Sequence, residues 1–317
     1  MEETKTLNSI PSQSLSPSTP SQESTETKHR NPSTTSSTPT PRPSSVTRIW
    51  RPAAQRNLRN QWSKLASYRR DWASSSSSGR SHATSIVNSY LSQRYMDAMD
   101  FGVLSDMPDI RKKACRKLFK QQELHRGKLL SSYEDMVAVV KNMVNTSGSM
   151  RCFLKGTSSS PLVQFSSCSE DKDDNGDGGG IPIFTFWSIS SFEKLALELV
   201  QMFALELNLK RLLVVELLSL CSEEVPISEF CWSDELYPGE FDDLSTCSLY
   251  SKEACKPNLP KINGWKSDTP AEGSNHQLNH EILQVYLTTW LAEVNVDVYR
   301  VDEIFAVIGE EMHVCLS

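Results

Sequence analysis

Six cations stand within ten positions, Arg111, Lys112, Lys113, Arg116, Lys117 and Lys120, with no acidic residue among them. On a helix of about 3.6 residues per turn, Lys112, Lys113, Arg116 and Lys120 share an arc of roughly 100°. That arc lies opposite Ile110, Ala114 and Leu118, with Arg111 and Lys117 at its flanks. Such a face can contact phosphates without reading sequence, and it would weaken steeply with salt. The same run fits a nuclear-import signal, and a plain solvated helix face fits it as well. A second basic region holds Trp50, Arg51, Arg56, Arg59, Trp62, Arg69, Arg70 and Trp72. Aromatics among arginines can stack on bases. At helical spacing they are more often core anchors. We therefore take this segment as a candidate partner- or DNA-binding helix.

Other candidate chemistry fails on its own terms. Asp171-Lys172-Asp173-Asp174-Asn175-Gly176 matches the first half of an EF-hand loop. The loop also needs an apolar eighth residue and a bidentate Glu at its twelfth, and Gly178 and Pro182 stand there. His276 and His280 lie one helical turn apart, and His313 and Cys315 lie near the C-terminus. The spacing fits no standard zinc module, so no metal or cofactor is assigned. No Walker loop, Rossmann fingerprint, nucleophile elbow or kinase set occurs. Gly176 to Gly180 precede a strand-like segment and cannot set phosphate on a helix N-terminus. The chain reads as non-enzymatic, with no catalytic residues and no small-molecule substrate.

The elements carrying these residues follow from composition and period. The net charge of -6 over 317 residues hides a strong split. Residues 46–155 hold 20 basic against 8 acidic residues, net +12, whereas residues 156–317 hold 9 against 27, net -18. Residues 1–45 contain 12 Ser, 9 Thr and 7 Pro, too little apolar matter to offset ordering entropy, so a disordered tail over 1–46 is expected. Its Ser16, Thr19, Thr38 and Thr40 precede prolines, and Ser12 and Ser21 precede glutamines, which makes all six candidate phosphosites. Eight cysteines without a C-x-x-C pair point to reduced thiols in cytosol or nucleus. No window of 18 uncharged apolar residues occurs, so no membrane span is expected. An apolar secretory h-region is also lacking at the N-terminus.

The period predicts a mainly α chain, a helical bundle or array. The basic helical region covers 47–148. It starts with a helix on Ala54, Leu58, Trp62, Leu65 and Trp72. The serine run 74–81 is expected to break that helix, with Ser81 capping the next, which carries Ile86, Val87, Tyr90, Leu91, Tyr95 and Met99. Asp106 is the expected N-cap of a long pattern from Ile110 to Val144, with a polar gap after Leu118; a helical hairpin and a short coiled coil both fit. Residues 149–190 read as a β-like, acidic, Gly-rich connector, with short strands or a small hairpin near 150–166. Ser190 and Glu193 form a capping-box signature. They open an apolar core at 191–221, one helix or two with a joint near Asn208. Residues 222–275 read as a long acidic linker or partly ordered loop. A C-terminal pair of amphipathic helices, 276–317, is expected to pack on the core.

Ile49-Trp50-Arg51-Pro52-Ala53-Ala54-Gln55-Arg56-Asn57-Leu58-Arg59, Gly79-Arg80-Ser81-His82-Ala83-Thr84 and Phe184-Thr185-Phe186-Trp187-Ser188-Ile189 resemble the plant Multipolar Spindle family. That group is also described as recombination-initiation-defect proteins, distantly similar to the Mei-four accessory factors. The resemblance covers about 48–317. It implies a nuclear, chromosome-associated, non-enzymatic protein needed for meiotic DNA double-strand-break formation and bipolar meiotic spindles. It also implies partners among the other break-forming proteins, docked through an N-terminal amphipathic helix. Here the first such helix is Ala53–Trp72, behind a long polar tail. Contact with DNA or chromatin through the basic half, and a spindle- or microtubule-associated adaptor role, remain open at this point.

Overall fold

The computed structural model describes residues 45–96, with side chains from residue 51, and residues 98–107, 109–151, 181–220, 230–262 and 279–316. The chain is mainly α. Helix α1 runs over Ser45–Met96 and α2 over Ile110–Gly148, with the 3-10 turns Gly102–Leu104 and Ser149–Arg151 at the ends of α2. Helix α3 spans Ile189–Leu218 and the short α4 spans Glu240–Thr246. Strands β1 (Tyr250–Ser251) and β2 (Lys256–Pro257) pair antiparallel, with Tyr250 opposite Pro257. Helices α5 (His280–Ala292) and α6 (Val298–Met312) close the chain. At about 1.5 Å per residue α1 is roughly 78 Å long, against about 58 Å for α2 and 45 Å for α3.

Helices α1 and α2 form an antiparallel hairpin with one continuous seam. On α1 it is Leu58, Trp62, Leu65, Arg69, Trp72, Ser76, Gly79, Ala83, Ile86, Tyr90 and Gln93, at alternating steps of four and three. All are buried except the half-buried Arg69 and Tyr90. On α2 and the 3-10 turn that follows, the buried series is Gln122, Arg126, Leu129, Tyr133, Met136, Val140, Met143, Ser147 and Met150, at the same steps. This is the spacing of coiled-coil contact positions. The seam passes through Ser74–Ser78, so the expected break at 74–81 and the cap at Ser81 do not occur. The small side chains there admit α5. Trp290 Nε1 donates to the Ser76 carbonyl at 3.0 Å, and a Cβ on Gly79 would stand 2.6 Å from the Trp290 ring. Helix α2 likewise starts after Asp109, in left-handed conformation, and not after Asp106; it is unbroken through its polar stretch.

Helix α3 is apolar almost all round and is buried by α2 on one side and by α1, α5 and α6 on others. It has no joint at Asn208, whose side chain is buried and donates to the Asn258 carbonyl at 2.8 Å. Its N-cap is Ser188, and no capping box forms; Glu193 pairs instead with Arg151.

Two adjacent buried cations on α3 organise what surrounds it. Arg211 Nε donates to Glu240 Oε1 at 2.8 Å, its two terminal nitrogens donate to the Trp232 and Asp234 carbonyls, and the guanidinium lies over the Trp232 ring. Glu240 also accepts from Tyr133 Oη at 2.7 Å and the Leu236 amide at 2.7 Å. Burial first, then the Glu240 carboxylate, pushes the Tyr133 hydroxyl well above its ordinary range, so it remains a donor. Residues 230–262, read as part of an acidic linker, are therefore ordered, because an arginine without water needs these acceptors. The remaining parts of that linker, 222–229 and 263–275, lie outside the described residues. Lys210 donates to the Trp290 carbonyl and sits 3.3 Å from Glu206 Oε1 and 3.7 Å from Glu293 Oε1. Glu293 in turn accepts from Trp72 Nε1 and Ser76 Oγ, which joins α1 to the α5–α6 turn.

The loop before α3 is clamped from both chain ends. Glu311 Oε1 accepts from the amides of Thr185, Phe186 and Trp187 at 2.7–2.9 Å. Arg51 donates to the Ile183 and Phe184 carbonyls, and Gln55 to that of Ile183. The strands expected near 150–166 fall mostly outside the described residues; Met150 and Arg151 are in the 3-10 turn.

Two stability outcomes follow from this packing. Arg211→Met leaves Glu240 buried without its cation and should cost roughly 3–5 kcal/mol in urea unfolding. Gly79→Ala gains about 1 kcal/mol of helix propensity, yet its methyl has no room beside Trp290. Overpacking costs of about 1–3 kcal/mol are typical, so a net loss of stability is expected from the same measurement.

Candidate nucleic-acid interface

The α1–α2 hairpin extends beyond the part that packs on α3. Gln122 and Arg126 on α2 both donate to the Leu220 carbonyl, just past the end of α3, and Gln93 on α1 donates to Gln122. From 94 to 121 no described residue is buried. The ends of α1 and α2 therefore form an arm on whose outer faces no other described element packs.

The basic run lies on this arm. Ile110, Ala114, Cys115, Leu118 and Phe119 are half-buried along the α1 side, which turns Lys112, Lys113, Arg116, Lys117 and Lys120 outward, all exposed. These five cations make no ion pair with another described residue. Arg111 is half-buried, its guanidinium 4.4 Å from the centre of the Phe101 ring. Around the apex, Tyr95, Met99, Val103, Leu104 and Met107 are exposed, Val103 at 93%. Asp100, Asp106 and Asp109 are the apex's exposed acids. The arm thus combines a strip of cations with an apolar tip. Sequence reasoning identifies the cations from their arc and places Tyr95 and Met99 in a helical pattern, but it misses Val103, Leu104 and Met107, which show no helical period because they lie between the helices.

The other basic region is built differently. Trp62 and Trp72 are 0% and 1% exposed and meet Phe305 and Phe203 edge-on. They are core anchors, and the base-stacking reading is overturned for both, because no face of either ring is open. Arg51 is bound to the 183–184 carbonyls. Arg59 donates to the Met312 carbonyl and lies over Phe184, and Arg69 pairs with Asp302 at 2.6 Å over the Phe305 ring. Arg56 and Arg70 are exposed. Three of the five cations expected on this helix are thus fasteners, Arg51 to the loop before α3 and Arg59 and Arg69 to α6. The Trp50 side chain lies outside the described residues, as do the candidate phosphosites Ser12, Ser16, Thr19, Ser21, Thr38 and Thr40.

The metal candidates give no assembled site. His276 and Asp171–Asp177 lie outside the described residues. His280 opens α5, and His313 ends α6, where its Nε2 is 3.3 Å from Thr185 Oγ1. Among the described residues no group of three or more His, Cys, Asp and Glu is placed to hold a metal ion. No helix among them is long and apolar enough to cross a membrane. Compared with protein-family models and with curated proteins, the chain finds no match.

The two basic regions should separate in a stability measurement. Replacing Lys112, Lys113 and Lys117 together by Gln should leave the unfolding free energy in urea within about 0.5 kcal/mol of the parent, as surface changes do. Arg69→Gln should lower stability measurably, since Arg69 holds both Asp302 and the face of Phe305.

Proposed function

We propose that this is a non-enzymatic interaction protein whose projecting hairpin arm binds nucleic acid through the phosphate backbone. The observation that carries this reading is the strip Lys112, Lys113, Arg116, Lys117 and Lys120, exposed and without an ion-pair partner among the described residues. On α1, by contrast, Arg69 pairs with Asp302 and Arg51 and Arg59 are held by carbonyls, while Arg56 and Arg70 are exposed. Lysines on one helix face act as point charges and give no base readout. Binding is therefore sequence-nonspecific and strongly salt-dependent. With this arm on chromatin, the rest of the bundle is left to carry protein partners. Together with the resemblance to the Multipolar Spindle family, the reading becomes a nuclear accessory protein of meiotic double-strand-break formation and bipolar spindle organisation. Its partners are then other break-forming proteins, on meiotic chromosomes.

Two measurements test this. Titration of the full chain with a duplex of arbitrary sequence should give a log–log salt slope of about -4 to -5 if five cations meet phosphates, at roughly 0.9 per contact. Lys112→Gln, Lys113→Gln and Arg116→Gln together should reduce that slope by about 2.7. No binding at low salt, or an unchanged slope, removes the nucleic-acid reading. Microtubule binding that duplex DNA fails to displace would put a spindle adaptor in its place. Affinity capture from meiotic tissue tests the wider role, which requires recovery of other break-forming proteins.

A further inference from the structure

Two histidines from different helices face each other in the arm's root. His82 on α1 and His125 on α2 place their Nδ1 atoms 3.2 Å apart, with ring centres 5.4 Å apart and planes inclined by 40°. Both side chains are half-buried, and His125 adjoins the last buried layer of α2, Gln122 and Arg126. Two imidazole nitrogens bound at about 2.05 Å to one tetrahedral ion stand about 3.3–3.4 Å apart. The pair is therefore already spaced as two ligands of a single ion.

We propose that His82 and His125 form a transition-metal site, taking an imidazole-preferring divalent ion such as Zn²⁺ or Cu²⁺, that clasps α1 to α2 where the arm leaves the core. Three features of the surroundings fit this role. The Ser78 hydroxyl lies 3.5 Å from His82 Nε2 and can accept its proton, which leaves the Nδ1 lone pair aimed at His125. Ser132 Oγ lies 3.2 Å from that hydroxyl, on the facing helix, and steadies it. Such outer partners fix the tautomer and orientation of a ligating imidazole. Without metal, His125 Nδ1–H donates to His82 Nδ1. With metal, that proton moves to His125 Nε2 through solvent, so neutral imidazoles bind the ion with no net proton release. The protein supplies two ligands, one fewer than a catalytic zinc site, and the other coordination positions belong to water or to a partner's side chain. Nitrogen-rich sites follow the order in which Cu²⁺ binds more tightly than Zn²⁺ or Ni²⁺. Lys128, whose charge acts on His82, opposes a bound cation.

The test uses the full chain without a polyhistidine tag. Calorimetric titration with Zn²⁺ should show one site, and the Cu²⁺ form should show imidazole nitrogen coordination by electron paramagnetic resonance. His82→Asn and His125→Asn should each weaken Zn²⁺ by more than roughly tenfold, whereas His280→Asn leaves it unchanged and Lys128→Gln strengthens it. Circular dichroism of each variant confirms the helical fold, and the copper spectrum of the parent protein does not depend on any variant folding. Absence of a calorimetric site, a copper spectrum without imidazole nitrogen, or Zn²⁺ affinity in either histidine variant equal to the parent's would overturn the proposal.

Discussion

Lys210 and Arg211 occupy neighbouring positions on a helix with almost no exposed surface, and neither side chain reaches water. A cation left alone there would cost several kcal/mol. The chain meets that constraint in two directions. Arg211 is held by Glu240, two carbonyls and the ring of Trp232. Lys210 is held by Glu206, Glu293 and the Trp290 carbonyl. Since the two side chains point about 100° apart around α3, they fix two different structures against it. One is the 230–246 segment on the α2 side, and the other is the α5–α6 turn on the α1 side. Removing either partner would strand a buried charge, so these contacts specify where each piece docks in a way that apolar packing alone does not.

The second of these docking sites dictates the serine run of α1. Glu293 and Trp290 must reach Lys210, and Trp290 also lies against α1. Only small side chains on α1 leave that space, so Ser76 and Gly79 hold seam positions where leucine would be expected. The cost in helix propensity is spread over a helix already fixed by burial at both ends, through Trp62 and Trp72 on one side and Ile86 and Val87 on the other. The three segments that resemble the Multipolar Spindle family map onto such joints. Residues 51–59 and 184–189 clamp one another, and 79–84 include the Trp290 seat and His82.

Charge is divided by the same packing. The acidic C-terminal region neutralises part of the basic half: Asp302 takes Arg69, Asp243 takes Lys141, and Glu293 accepts from Trp72 and Ser76. Lys112, Lys113, Arg116, Lys117 and Lys120 make no ion pair with that region among the described residues, whereas Lys141, on the same helix, does. Together with exposed cations of α1 such as Arg56 and Arg70 they remain available to a polyanion, a smaller set than a net +12 suggests.

The amino-acid sequence by itself determined the helical class, the apolar α3, the two C-terminal helices and the cationic arc on residues 111–120. Each rests on a local period or a local run of one residue type. The sequence could not locate the continuous seam of α1 and α2, although its four-and-three spacing is present. Serine, glycine, glutamine and arginine hold several of its positions, and their burial depends on what packs opposite. Tertiary structure alone decided that the Trp62 and Trp72 rings are closed to bases, that Arg51, Arg59 and Arg69 are fasteners, and that residues 230–262 are ordered around Arg211. The facing of His82 and His125 was likewise decided there, because residues 43 apart in sequence meet only when the hairpin closes. The physical reason is common to all four. A buried charge or a ring has its role set by partners distant in the chain, and no periodicity encodes which partner arrives.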